Sequence, residues 1–115
     1  MRDREYSCGL DAALDVIGGK WKVLIMWPLR EAPKRFGELR REVPGISEKM
    51  LIQQLKEMEL DGVVTRHDYR EVPPRVEYEI TALGRELLTQ ILPLWRWIVE
   101  NLPAFEAARA KPPHG

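Results

Sequence analysis

Gly45-Ile46-Ser47-Glu48-Lys49-Met50-Leu51-Ile52-Gln53-Gln54-Leu55-Lys56-Glu57-Met58-Glu59-Leu60-Asp61-Gly62 is the stretch on which the fold turns. Ser47 stands where a helix N-cap hydroxyl is wanted, Glu48 adds a carboxylate at the positive end of the helix dipole, and Gly62 supplies the terminating residue. These signals predict a helix from Glu48 to about Asp61. At 100° per residue, Leu51, Gln54, Leu55 and Met58 share one side, and Lys49, Ile52, Gln53 and Lys56 lie opposite. Such a helix is seated in a core by one side and presents two ammonium groups and an amide on the other.

Upstream, Phe36 to Val43 reads as a two-turn amphipathic helix with Phe36, Leu39 and Val43 inward, and Pro44-Gly45 makes the turn that follows. Leu10, Ala13, Leu14 and Ile17 have the spacing of one helical face, stopped by Gly18-Gly19. A second helix begins at Lys20, with Trp21, Leu24, Ile25 and Pro28 expected on one side, and Pro28 should bend or end it. Downstream, the period shortens to that of strands, from Val63 to Tyr69 and from Arg75 to Ile80, around Val72-Pro73-Pro74. Thr81 then caps a last long helix, whose Leu87, Leu88, Ile91, Leu92, Leu94, Trp95, Ile98 and Val99 form a stripe about 160° wide. A stripe that broad exceeds what one small core covers, so part of it is expected to pack on a second subunit, with Pro93 on the opposite side.

The element order is that of a winged helix-turn-helix: mainly α with a small β-hairpin and helical dimerisation termini. The whole chain, 1–115, reads as one domain. Within it 9–18 and 82–110 are the dimerisation helices, 36–61 the helix-turn-helix and 63–80 the wing hairpin.

Composition narrows the function. The apolar share of 44% and charged share of 31% are those of a globular protein, and 115 residues suffice for one core. No apolar run is long enough to cross a bilayer and the N-terminus lacks a signal core, so the cytoplasm is the expected location. A single cysteine, Cys8, leaves any disulfide to form between chains. Paired acids, phosphate loops and nucleophile motifs are absent, and His67 and His114 lack metal-ligand spacing, so no enzyme, metal or cofactor is expected.

Lys plus Arg and Asp plus Glu both number 18, so the molecule as a whole has no attraction for a polyanion. Two readings follow. In the first, charge is sorted by face, and Lys49 and Gln53 approach base edges of double-stranded DNA, with Ser47, Ile52 and Lys56 beside them. Arg35, Arg40 and Arg41 would flank that helix, and Arg70 and Arg75 would meet phosphate or minor groove from the hairpin tip. Pairing of Arg40 and Arg41 with Glu38 or Glu42, and of Arg75 across the strands, is the competing structural explanation. In the second reading the winged helix is a protein-interaction module without direct DNA readout.

Leu10, Leu14, Leu88, Leu92 and Trp95 are the expected dimer contacts. Trp97, off the stripe, lines either a small-molecule effector pocket or the subunit interface, or is simply an isolated surface residue. Cys8 is either a redox or electrophile sensor or a small buried hydrophobe at the interface.

Gly18-Gly19-Lys20-Trp21, Arg35-Phe36-Gly37-Glu38-Leu39-Arg40-Arg41, Gly45 to Leu55, Asp61-Gly62-Val63-Val64-Thr65-Arg66 and Val72-Pro73-Pro74-Arg75-Val76-Glu77-Tyr78 together resemble the HxlR-type regulators, relatives of the MarR group. The resemblance spans about residues 8 to 97. It implies a homodimeric winged-helix repressor or activator on a pseudo-palindromic operator, with the long central helix as recognition helix and Tyr69 to Val76 as wing. It also implies a candidate sensing role for an N-terminal cysteine placed like Cys8, so that a repressor of nearby genes would be released by a small molecule or redox signal.

Overall fold

A computed structural model describes residues 9–111. Six helices and one hairpin follow in the order α1 (Gly9–Ile17), α2 (Lys22–Leu29), α3 (Phe36–Glu42), α4 (Glu48–Leu60), β1 (Val64–Asp68), β2 (Val76–Ile80), α5 (Ala82–Glu100) and α6 (Leu102–Arg109). The strands pair antiparallel, from Val64 opposite Ile80 to Asp68 opposite Val76. Lys34, between α2 and α3, adds an isolated bridge to Tyr78 through reciprocal backbone bonds of 2.9 and 2.8 Å, which anchors the outer edge of β2. The fold class is thus as expected: mainly helical, with a two-stranded wing.

The core joins α2, α3, α4, the hairpin base and the first half of α5. Ile25, Met26, Leu29, Leu39, Val43, Leu51, Leu55, Met58 and Val64 are all essentially inaccessible. Val63 and Ile80 enter from the hairpin base, and Leu88 from α5. No helix is long and apolar enough to cross a membrane among the described residues.

Three details differ from the sequence expectation. The buried stripe of α2 is Lys22, Ile25, Met26 and Leu29, one position away from the expected Trp21, Leu24, Ile25 and Pro28; Leu24 is exposed. Pro28 lies one residue before the end of α2, so helix termination there is as expected. The last helix is not continuous from 82 to 110: α5 ends at Glu100 and is capped by Asn101, whose backbone N–H reaches the carbonyls of Trp97 and Ile98, and α6 starts at once with Pro103 in its first turn. Proline is tolerated there because the first helical N–H groups have no partner inside the helix. Leu88, expected at a dimer interface, is 5% exposed and belongs to the core of its own chain.

Candidate nucleic-acid interface

The α3–α4 pair is set by local chemistry. The Arg35 N–H donates to Glu38 Oε1 at 3.1 Å and opens α3. Ser47 Oγ accepts the Met50 N–H at 3.1 Å and opens α4, so Ser47, expected among the contact residues, serves as the cap. At the far end Gly62 takes a φ of +76°, a left-handed turn that a side chain would strain, and redirects the chain into the wing. Thr81 fastens this corner: its hydroxyl donates to the Gly62 carbonyl at 2.7 Å and accepts the Gly84 N–H at 3.0 Å.

On α4 the two sides separate as the wheel requires. Leu51, Leu55 and Met58 are 0–1% exposed. Lys49, Ile52, Gln53 and Lys56 are all exposed, and no ion pair holds either lysine among the described residues. Two of the acidic neighbours are drawn elsewhere: Glu48 lies 3.8 Å from Arg40 across the turn, and Glu57 is turned toward α2, while Glu59 borders Lys56 near the helix end. The side that carries the candidate contacts therefore presents two ammonium groups outside any ion pair among the described residues, on a chain of zero net charge.

What orients α4 from behind is not evident from the sequence pattern alone. Lys22, 4% exposed, sends its ammonium to Glu57 Oε1 at 2.9 Å and to the Asp15 carbonyl at 3.0 Å. One buried cation thereby links the last turn of α1, the first turn of α2 and the third turn of α4. A signal for it exists: Lys22, Ile25, Met26 and Leu29 follow i, i+3, i+4, i+7, and a charge on such a stripe needs a buried partner.

The flanking arginines divide into held and free. Arg40 pairs with Glu48 rather than with Glu38 or Glu42, while Arg35 and Arg41 are exposed. At the wing tip Arg75 is clasped by Glu71 at 3.5 Å and Glu77 at 3.6 Å, and its guanidinium lies 4.0 Å from the Tyr69 ring centroid. Arg75 is thus already charge-paired, and the structural explanation accounts for it better than the phosphate one. The Tyr69 hydroxyl donates to Glu77 at 3.1 Å; that bond, with slight burial and the nearby carboxylate charge, raises its pKa above the usual phenol value. Arg70, with a φ of +53°, is exposed at the turn and its N–H donates to Asp68 Oδ1 at 2.9 Å.

The remaining candidates lie on the far side of the core. Leu14 and Trp95 are exposed, and Leu92 is half-buried. Cys8 and the side chain of Leu10 lie outside the described residues. From Pro93 to Glu100 every residue of α5 is exposed, Leu94, Trp95, Trp97, Ile98 and Val99 included. Trp97 meets Phe105 of α6 edge to face at 6.0 Å. Between α2 and α5 an apolar cleft of about 220 Å³ is lined by Val23, Leu24, Trp27, Leu88, Ile91, Leu92 and Trp95. At its edge Arg30 stacks 3.7 Å above Trp27.

Comparison with known proteins agrees with this architecture. Residues 16–106 match the model of the HxlR-like helix-turn-helix family. The chain is 47% identical over 94 residues to the HTH-type transcriptional regulator YkvN of Bacillus subtilis, covering 82% of this chain and 80% of that one. Among solved structures, the transcriptional regulator ytfH from Salmonella typhimurium is 41% identical with a TM-score of 0.77, covering 91% of this chain and 94% of its own. The redox regulator HypR in its reduced form is 43% identical with a TM-score of 0.78, over 85% of this chain and 97% of that one. With the family model spanning most of its length and its helix-turn-helix and wing in place, the chain belongs to the HxlR-like helix-turn-helix family of transcription regulators.

Proposed function

We propose that this regulator works in the cytoplasm as a homodimer that reads a pseudo-palindromic operator with α4, represses neighbouring genes, and is released by a small-molecule or redox signal. It acts by binding rather than by catalysis. The observation that carries the reading is the two-sided α4: Leu51, Leu55 and Met58 sealed in the core, Lys49, Gln53 and Lys56 open to solvent. Ammonium groups there neutralise phosphate, and the Gln53 amide suits paired hydrogen bonds to adenine.

Binding to duplex DNA across a salt series tests it. Affinity should fall steeply, with a logarithmic slope that grows by about 0.9 for each phosphate neutralised. Lys49→Ala and Lys56→Ala should each flatten that slope, and Arg70→Ala should do the same from the wing. Arg75→Ala should leave it nearly unchanged, because Glu71 and Glu77 already compensate that charge. An equal loss of slope for Arg70→Ala and Arg75→Ala would refute this division of the wing. Gln53→Ala should relax preference at one base pair by about 1–3 kcal/mol, and an unaltered specificity profile would remove Gln53 from the readout.

Dimerisation is supported by the solvent-facing apolar surface of α5 with Leu14 and Trp95. In the dimer the two recognition helices should lie about 34–36 Å apart, one helical turn of DNA. Sedimentation that finds only monomer at micromolar concentration would count against it. The α2–α5 cleft is the natural seat for an effector, and Trp27 and Trp95, whose centroids lie 6.4 Å apart, would report an occupant by fluorescence. The redox arm is supported by likeness to a protein described as a redox regulator, and rests on Cys8. Diamide should release operator from the wild type and not from Cys8→Ser.

The rival, a winged helix that docks on protein, draws on the zero net charge. It predicts partner binding insensitive to salt and no enrichment of any duplex.

A further inference from the structure

Ile52 is anomalous on α4. It is an aliphatic side chain 41% exposed on the polar side, whereas Leu51 and Leu55 of the inward row are inaccessible. It is the fifth residue of the helix, in the half that reaches base edges when such a helix enters the major groove. Leu60, the other strongly exposed aliphatic residue of α4, sits at the opposite end. Ile52 is flanked by Lys49 one turn before and Lys56 one turn after, with Gln53 adjacent, and it lines a shallow surface depression with Glu48 and Lys49. The carboxylate at that depression is held toward Arg40, which offsets its repulsion of phosphate.

An aliphatic group between two ammonium groups that draw in the DNA backbone gains nothing from water and cannot hydrogen-bond a base. The one apolar feature that a base pair offers in the major groove is the C5 methyl group of a pyrimidine. We infer that Ile52 is a specificity-determining residue that packs against a pyrimidine C5 methyl group in each half-site, read as thymine in unmodified DNA and equally satisfied by 5-methylcytosine. The inference rests on α4 being the recognition helix. It assigns to the helix a hydrophobic component of readout beside the amide of Gln53 and the charges of Lys49 and Lys56, and it makes operator affinity sensitive to cytosine methylation at that position.

The test starts from a duplex enriched out of a random pool by the full chain. Each thymine is replaced singly by deoxyuridine, which deletes the methyl group and leaves base pairing intact, and affinity is read by fluorescence anisotropy. One position per half-site should lose about four-fold, the effect of one methyl group no longer buried. Cytosine at that position should bind more weakly, and 5-methylcytosine should recover about the same factor over cytosine. Ile52→Ala, which removes an exposed side chain and favours the helix, should bind the thymine and deoxyuridine duplexes equally; Lys49→Ala should weaken both and keep their ratio. Indifference of the wild type to every deoxyuridine replacement, no gain from 5-methylcytosine, or persistence of the ratio in Ile52→Ala would each overturn the inference while leaving DNA binding intact. Failure to enrich any duplex would overturn both.

Discussion

Glu57→Ala is expected to cost about 3–5 kcal/mol of folding stability in a urea titration, while Lys22→Met, at the other end of the same 2.9 Å ion pair, costs only about 1–2 kcal/mol. The asymmetry follows from where each group is left when its partner is removed. The Lys22 side chain is 5% exposed, so without Glu57 its ammonium is stranded in the interior with the Asp15 carbonyl as its remaining acceptor. The Glu57 side chain is 28% exposed and can turn to water, and Met occupies the volume that the lysine stem filled. Combining Lys22→Met with Glu57→Gln should recover most of the loss, since a neutral pair has no charge to desolvate. Equal penalties for the two single variants would show that the pair behaves as a surface bridge.

Gly84→Ala should be destabilising on the order of 3 kcal/mol, although the same change in an exposed helix interior stabilises by up to about 1 kcal/mol. Gly84 is buried where α5 crosses the base of the hairpin. A Cβ there would meet the Val63 carbonyl, whose carbon would be 3.2 Å away, and Ile80 Cγ1 at 2.7 Å. Backbone cannot yield as a side chain does, so the helix must lift off the wing or the wing must shift. Thermal unfolding of this variant measures how firmly α5 clamps the hairpin, and an unchanged or raised midpoint would mean that the contact is loose.

Elements whose signals are local are legible in the amino-acid order itself. Ser47 and Thr81 cap their helices, Gly62 turns the chain, and strand-like residues around Val72-Pro73-Pro74 pair as a hairpin, because each feature depends on a few neighbouring residues. The sorting of α4 is legible for the same reason: one wheel separates Leu51, Leu55 and Met58 from Lys49, Gln53 and Lys56. Assignments that depend on a distant partner fail. Arg75 is left open by the residue order, between phosphate contact and cross-strand pairing, until Glu71, Glu77 and Tyr69 are seen around it. The inward side of α2 is displaced by one position from the expected one because Trp21 and Leu24 look more core-like than Lys22, yet the lysine is buried with a carboxylate of α4 as its partner. Leu88 shares a stripe with Leu92 and Trp95, and only packing separates Leu88, which its own chain buries, from half-buried Leu92 and exposed Trp95. The break at Asn101 is readable in principle, since Asn followed two residues later by Pro103 is a helix-start signal, but apolar periodicity overshadows it.

The solvent-facing end of α5 bears on more than the shape of an interface. If a second copy covers the apolar side that α5 exposes among the described residues, that helix is stabilised by mass action and its order depends on subunit concentration. On the homodimer reading, occupancy of two half-sites then scales with the square of free subunit concentration at low abundance. A modest rise in synthesis would switch the target sharply, giving the circuit a threshold that no individual contact with DNA supplies.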